Sequence, residues 1–259
     1  MDTFFCLDNS PAFELIELDT VDSTNNFLKH YRPLRQREMT VVTAEFQYSG
    51  RGQTGNSWES EYGKNLLFSI RIHPRNVPPA GQFILSQAIA VAVRRALEDY
   101  VAPVQVKWPN DIYYGDCKLG GILIENDLMG RHIENCVIGI GLNINQETFV
   151  SDAPNPVSLR QITGRDIERR FVLERVIGHF KRLLDRLDEA GAKALREDYH
   201  RSLYRKDEWH MYSDENGDFR GRLEEVSPDG HLLLRDEQDR LRTYAFKEVK
   251  FILSNLDKQ

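Results

Sequence analysis

The sequence predicts an α+β fold: a mixed or largely antiparallel central sheet flanked by helices, followed by a small all-β unit. Three observations lead there. Up to Val150 strand-like and helix-like runs alternate. The later strands of that region are joined by short Gly-, Asp- and Asn-containing turns, which suit antiparallel pairing better than long crossovers. From about Tyr204 onward only short alternating strands remain. We therefore divide the chain into a larger unit over 1–204 and a smaller one over 205–259.

Taken in order, "DSTNNFLKHYR" offers Asp22 or Ser23 as an N-cap for a short helix. Unpaired N–H groups at such a start also favour a polar ligand, so capping and ligand contact both stand. "MTVVTAEF" reads as a strand and leads into "GRGQTGNSW", where Gly50, Gly52 and Gly55 have the spacing G-x-G-x-x-G. A dinucleotide site with that spacing needs a helix directly after the glycines and an acid roughly 20 residues further on. Neither is present: "NSWESEYGKNLLFSI" has no helical period, and no acid occurs between Tyr62 and Leu97. The loop is instead a turn or a different anion-binding loop, with Arg51 as a planar cation suited to carboxylate or phosphate.

"PPAGQFILSQAIAVAVRRALEDYV" starts with prolines and lines up Leu85, Ala88, Ile89, Ala92, Val93, Ala96 and Leu97 as a core helix. Strand-like "VQVKW", "CKLGGILIEN" and "ENCVIGIGLNIN" follow, then a loop with Pro154 and Pro156. "RDIERRFVLERVIGHFKRLLDRLDE" is a long amphipathic helix, with a shorter helical piece to about Leu203. The final runs "EWHMY", "FRGRLEEV", "HLLLRD", "LRTYAF" and "VKFIL" have the spacing of a small SH3-like barrel, which would pack on the larger unit or contact a partner.

The densest stretch for chemistry is "KWPNDIYYGDCKLGGILIEN". Trp108 precedes a proline and is pushed toward extended geometry, which places Lys107 at a strand end. If Gly115-Asp116 is a two-residue hairpin loop, Tyr113 faces Lys118 and Asp111 faces Gly120. Asp111, Tyr113, Lys118 and Gly120 then share one surface, with Asp111 and Lys118 roughly 7 Å apart as diagonal neighbours. Such a surface is either a ligand floor or a solvated ion pair. "VIGIGLNIN" favours the floor: Gly139, Gly141, Asn143 and Asn145 alternate with Ile138, Ile140, Leu142 and Ile144, offering bare backbone and carboxamides.

The 259 residues carry a net charge of −6, which argues against a dedicated nucleic-acid binder. No run of about 18 apolar residues spans a membrane, and the acidic N-terminus lacks a signal-peptide layout, so the cytoplasm is expected. Cys6, Cys117 and Cys136 are too scattered for a zinc site and read as fillers or incidental surface thiols.

"DSTN", "GRGxxGxxW", "KWPND", "KLGGILIE" and "GIGLNIN", in this order and with a C-terminal barrel, resemble the biotin protein ligases. The resemblance covers essentially the whole chain. It implies a catalytic domain like the class II synthetases and a two-step reaction: biotin and Mg²⁺-ATP give biotinyl-5′-AMP, which then acylates one lysine of a biotin carboxyl carrier domain. The lipoate–protein ligases are the nearest alternative.

By the same resemblance, Lys118 and Arg51 hold the biotin carboxylate and the acyl-phosphate linkage. Lys107 neutralises phosphate, with Asn110 beside it. Asp111 binds Mg²⁺ or helps deprotonate the incoming lysine. Ser23, Thr24, Asn25 and Gln47 match the positions around the ureido end of biotin. Gly50, Gly52 and Gln53 of the loop, and Gly120, Gly121, Gly139 and Gly141 of the floor, complete that pocket. Trp58 with Asn143 or Asn145 would meet adenine. Two departures stand out. Gln53 and Asn56 replace arginines common in the family, which implies weaker closure over the adenylate. Only 21 residues precede "DSTN", too few for the helix-turn-helix of repressor members, so an enzyme without DNA binding is expected, as monomer or homodimer.

Overall fold

The computed structural model describes residues 13–33, 37–53, 55–130, 132–151 and 155–253. Cys6 and Pro154 lie outside them. Seven strands form one sheet: β1 (Glu14–Val21), β2 (Met39–Gln47), β3 (Leu66–Ile72), β4 (Gln105–Lys107), β5 (Asp111–Tyr114), β6 (Cys117–Met129) and β7 (His132–Leu142). Their order is β1-β2-β3-β7-β6-β5-β4. Only β1 and β2 are parallel, so the sheet is mixed, as expected.

One face of the sheet is buried under helices. Phe68, Ile70, Ile138 and Ile140 pack with Leu85, Ala88, Ile89 and Ala92 of α2 (Phe83–Leu97). Behind α2 lie α4 (Arg169–Leu184) and α5 (Glu189–Arg201), after the short α3 (Leu159–Thr163). The long amphipathic run and the shorter piece after it are thus both helical, and the second starts where the Asp188 carboxylate accepts the Gly191 N–H. Helix α3 escaped the sequence reading although its signals were present: Ser158 and Gln161 form a capping box, and Gly164 closes the helix in the left-handed region.

On the other face, among the described residues, the helix is α1 (Thr24–His30), anchored where Leu28 meets Ile16, Val42 and Val137. Fully burying such a leucine contributes about 1.5–3 kcal/mol, enough to hold a two-turn helix that would not form alone.

The second sheet is antiparallel: β8 (Trp209–Asp214), β9 (Gly217–Val226), β10 (Leu232–Asp236), β11 (Leu241–Tyr244) and β12 (Lys250–Phe251), in the order β11-β10-β9-β8-β12. Tyr212, Leu223, Leu232 and Leu234 fill it. It is tied to the first unit by Trp108 Nε1, which donates to Gly230 O at 2.9 Å.

The expected hairpin forms, but its register slips. A bulge between Ile112 and Tyr113 leaves Tyr113 opposite Lys118 and moves Asp111 opposite Gly121 rather than Gly120. Tyr113 turns inward, fully buried against Tyr204, and Gly120 faces Leu142. Cys136 is buried, which pushes its thiol up to about 12 and leaves it inert. Among the described residues, no helix is long and apolar enough to cross a membrane.

Candidate active site

Residues 50–53 and 55–58 fold back on each other as a tight hairpin, with no helix after the glycines. Trp58 N–H donates to Gly50 O at 3.0 Å, and Gly52 N–H to Asn56 O at 2.7 Å. The first two glycines are there for close approach: a Cβ on Gly50 would sit 2.7 Å from Trp58 O, and one on Gly52 3.2 Å from Asn56 Cβ. Gly55 alone needs its left-handed backbone, at φ +86°. The hairpin thereby delivers Arg51 and Trp58 to the floor.

Ser23 sits at the N-cap of α1 but makes no side-chain capping bond. Gln47, at the end of β2, does that work: its Oε1 accepts from Thr24 N at 2.7 Å and Thr24 Oγ1 at 3.0 Å. Ser69, the one hydroxyl inside the fully buried β3, shares its proton between Thr24 Oγ1 (2.7 Å) and Asn25 Oδ1 (2.6 Å). Ser23, Thr24 and Asn25 are each 3% exposed. A buried polar group is held in one orientation by such partners, so this corner is preorganised for hydrogen bonding.

The glycines of β7 make room for it. A Cβ on Gly139 would collide with the Asn25 carboxamide, and one on Gly141 with the Trp58 indole. On the neighbouring strand Gly121 lies under Trp58, Asp111 and Lys118. Lys118 Nζ is 2.7 Å from Asp111 Oδ1 and 5.8 Å from the centre of a Trp58 ring. Lys107 Nζ lies 5.1 Å from the ring centres of both Tyr113 and Phe251. Burial pushes the Lys107 ammonium below the usual lysine range; Lys118 and Arg205 add to this, and Asp111 opposes it.

These groups line one cavity of about 650 Å³, within the roughly 300–1,000 Å³ typical of small-molecule sites. Ser23, Thr24, Asn25, Gln47, Arg51, Gly52, Gln53, Trp58, Lys107, Asn110, Asp111, Lys118, Gly121, Gly139 and Gly141 all reach it. Gly50 and Gly120 do not. Asn143 and Asn145 do not either, because β7 ends at Leu142 and the alternation stops there. Asn145 instead clamps Ile167 through both backbone groups, at 2.9 Å each, and Asn143 Nδ2 donates to Lys118 O.

Two contributions went unread in the sequence. Glu125 shares the floor face with Gly121, two strand steps away, and accepts from Lys29, Arg51 and Asn25. Burial alone would raise its carboxyl, but those three bonds outweigh it and hold it below the usual value. The barrel, expected to pack on the larger unit or contact a partner, also supplies Phe246, Lys247, Lys250 and Phe251 to the cavity wall.

Among the described residues, five cations line the cavity, namely Arg51, Lys107, Lys118, Lys247 and Lys250, against the single carboxylate of Asp111. In a chain of net charge −6 that imbalance marks a site for anions. No cluster of three or more metal-ligating side chains occurs among the described residues. One carboxylate facing a cationic cavity fits Mg²⁺ that arrives on phosphate oxygens and keeps waters, not a protein-built cage.

Known proteins bear on this geometry. Residues 17–143 match the Biotin/lipoate A/B protein ligase family. The chain is 30% identical to the bifunctional ligase/repressor BirA of Bacillus spizizenii, over 89% of this chain and 72% of that protein. It is 27% identical to the biotin--[acetyl-CoA-carboxylase] ligase of Paracoccus denitrificans, over 84% of this chain and 92% of that one. It spans about half the length of several other curated relatives. The biotin protein ligase of Aquifex aeolicus, solved in complex with biotin and ATP, superposes with a TM-score of 0.77 at 27% identity, over 92% of this chain and 99% of that one. The chain belongs to the biotin/lipoate A/B protein ligase family.

Proposed function

We propose that the protein is an ATP-dependent biotin–protein ligase that forms biotinyl-5′-AMP and transfers the biotinyl group to one lysine of a biotin carboxyl carrier domain. The observation that carries this is the single cavity in which a polar corner at Ser23, Thr24 and Asn25 opens onto Lys118, Arg51 and Lys107. Biotin pairs a hydrogen-bonding ureido ring with a carboxylate. Lipoate has no polar ring and offers this polar corner no hydrogen-bonding group, which disfavours it.

In the first step a biotin carboxylate oxygen attacks the α-phosphorus, and the bond to pyrophosphate breaks with its electron pair. Lys118 and Arg51 offset the repulsion between the two anions, and Lys107 takes up charge on the phosphates. Mg²⁺, when bound with ATP and held through Asp111, supplies further charge neutralisation. Trp58 gives adenine a flat wall. In the second step the carrier amine attacks the acyl carbon, AMP departs, and Asp111 is placed to accept the amine proton.

The test incubates the protein with ATP, Mg²⁺ and either biotin or lipoate, and follows pyrophosphate release and labelling of a carrier domain. Biotin is expected to drive both. Release with lipoate alone refutes the proposal.

A further inference from the structure

Glu125 is crowded. Its Oε1 accepts from Lys29 Nζ and from Arg51 Nη2, both at 2.6 Å, and its Oε2 from Asn25 Nδ2 at 2.9 Å. The Arg51 guanidinium has a second anchor, Asn26 Oδ1 at 2.5 Å. Two cations on one carboxylate oxygen leave one positive charge in excess beside the cavity.

The two cations differ in what carries them. Lys29 projects from α1, which Leu28 pins to the sheet. Arg51 projects from the 50–58 hairpin, and its side chain is 38% exposed against 20% for Glu125. A largely buried carboxylate left without a cation is strongly destabilised. With Lys29 in place Glu125 never reaches that state, whichever way Arg51 points. Exchanging a guanidinium–carboxylate contact for another guanidinium–oxyanion contact is then nearly balanced.

We infer that Glu125 holds Arg51 in reserve beside the cavity, and that Lys29, by keeping Glu125 paired, lets a substrate oxyanion draw Arg51 away. Both are positioning residues acting through Arg51. The consequence for catalysis rests on the ligase function proposed above; the holding of Arg51 does not.

The experiment has two arms on the full chain. The first uses trypsin on the protein alone and measures cleavage after Arg51 by mass spectrometry, since a guanidinium bound to Glu125 is withheld from the protease. Glu125→Gln should be cut about five-fold faster than the parent, as loss of a roughly 1 kcal/mol ion pair implies. Asn26→Ala, which removes only the second anchor, should shift the rate the same way, and Lys29→Met should slow it. Equal rates in Glu125→Gln and parent, or faster cutting in Lys29→Met, overturn the inference.

The second arm measures biotin-dependent pyrophosphate release. Lys29→Met should slow it about ten-fold, and the Lys29→Met/Glu125→Gln double variant should regain most of the rate, a coupling expected only of directly interacting groups. A double variant no faster than Lys29→Met overturns the inference. Absence of release in the parent defeats the ligase function instead, and the trypsin arm still decides whether Arg51 is held.

Discussion

Lys118 Nζ lies 2.7 Å from Asp111 Oδ1, directly above Gly121, and both side chains line the cavity. A closed surface ion pair would be worth little. This one faces a space lined by four further cations, which supports the proposed role of Lys118 toward a substrate oxyanion. Lys118→Ala is expected to lower adenylation by about 10²–10³, the loss typical of one preorganised charge. Single-turnover formation of biotinyl-AMP measures it. A variant with full adenylation activity removes Lys118 from the mechanism.

Gln53 reaches the cavity with its Oε1 buried and without a partner. Replacing it with arginine places a cation beside the adenylate. Gln53→Arg should release biotinyl-AMP roughly ten-fold more slowly, equivalent to about 1.4 kcal/mol. Radiolabelled adenylate retained through gel filtration gives the rate, and a release no slower than the parent's defeats the idea.

Phe251 brings the barrel onto Lys107. Phe251→Ala removes a cation–π contact worth about 1 kcal/mol and admits water to the ammonium. The KM for ATP should rise about five-fold with biotin affinity unchanged. Equal weakening of both substrates points to a collapsed cavity instead.

Gly141 has no room for a methyl group, because the Trp58 indole occupies it. Gly141→Ala should displace Trp58, red-shift its emission and lower stability by about 1–3 kcal/mol, the range for overpacking. Unchanged fluorescence together with unchanged stability contradicts the packing described.

Glu125 makes a pH-dependent contribution of known sign. Its carboxyl is held below the usual 4.5, so the folded chain favours the charged form. That stability is fully present above the usual value and fades as the pH falls through the depressed one. The melting temperature of the parent should exceed that of Glu125→Gln near neutrality, and the gap should close below about pH 4.5. A gap that persists or widens in acid rules this out.

Most of the floor was legible because it rests on local rules. Alternation along "VIGIGLNIN" placed Gly139 and Gly141 on the cavity side, where they are found. The same rule failed two residues later: strand pairing ends at Leu142, and nothing in the residues themselves marks that end. Asp111 and Lys118 came together despite a misplaced register, because a bulge moved Gly121 into the position expected of Gly120. Glu125 was readable by extending the alternation from Gly121 through Leu123, a step obscured by the apolar run around it. The contribution of Phe251 was not readable at all, since it depends on how one unit docks on the other, and strand spacing carries no information about that.

The wall that Phe251 completes belongs to the last strand, whereas Ser23 opens the same cavity near the first. During synthesis every motif of the site therefore leaves the ribosome before the enclosure exists. A chain cut short before residue 251 would present the floor, the polar corner and the cations to bulk water, where fixed charges are weakest. Lesions far along the coding sequence should thus surface as faulty handling of ATP rather than as loss of fold.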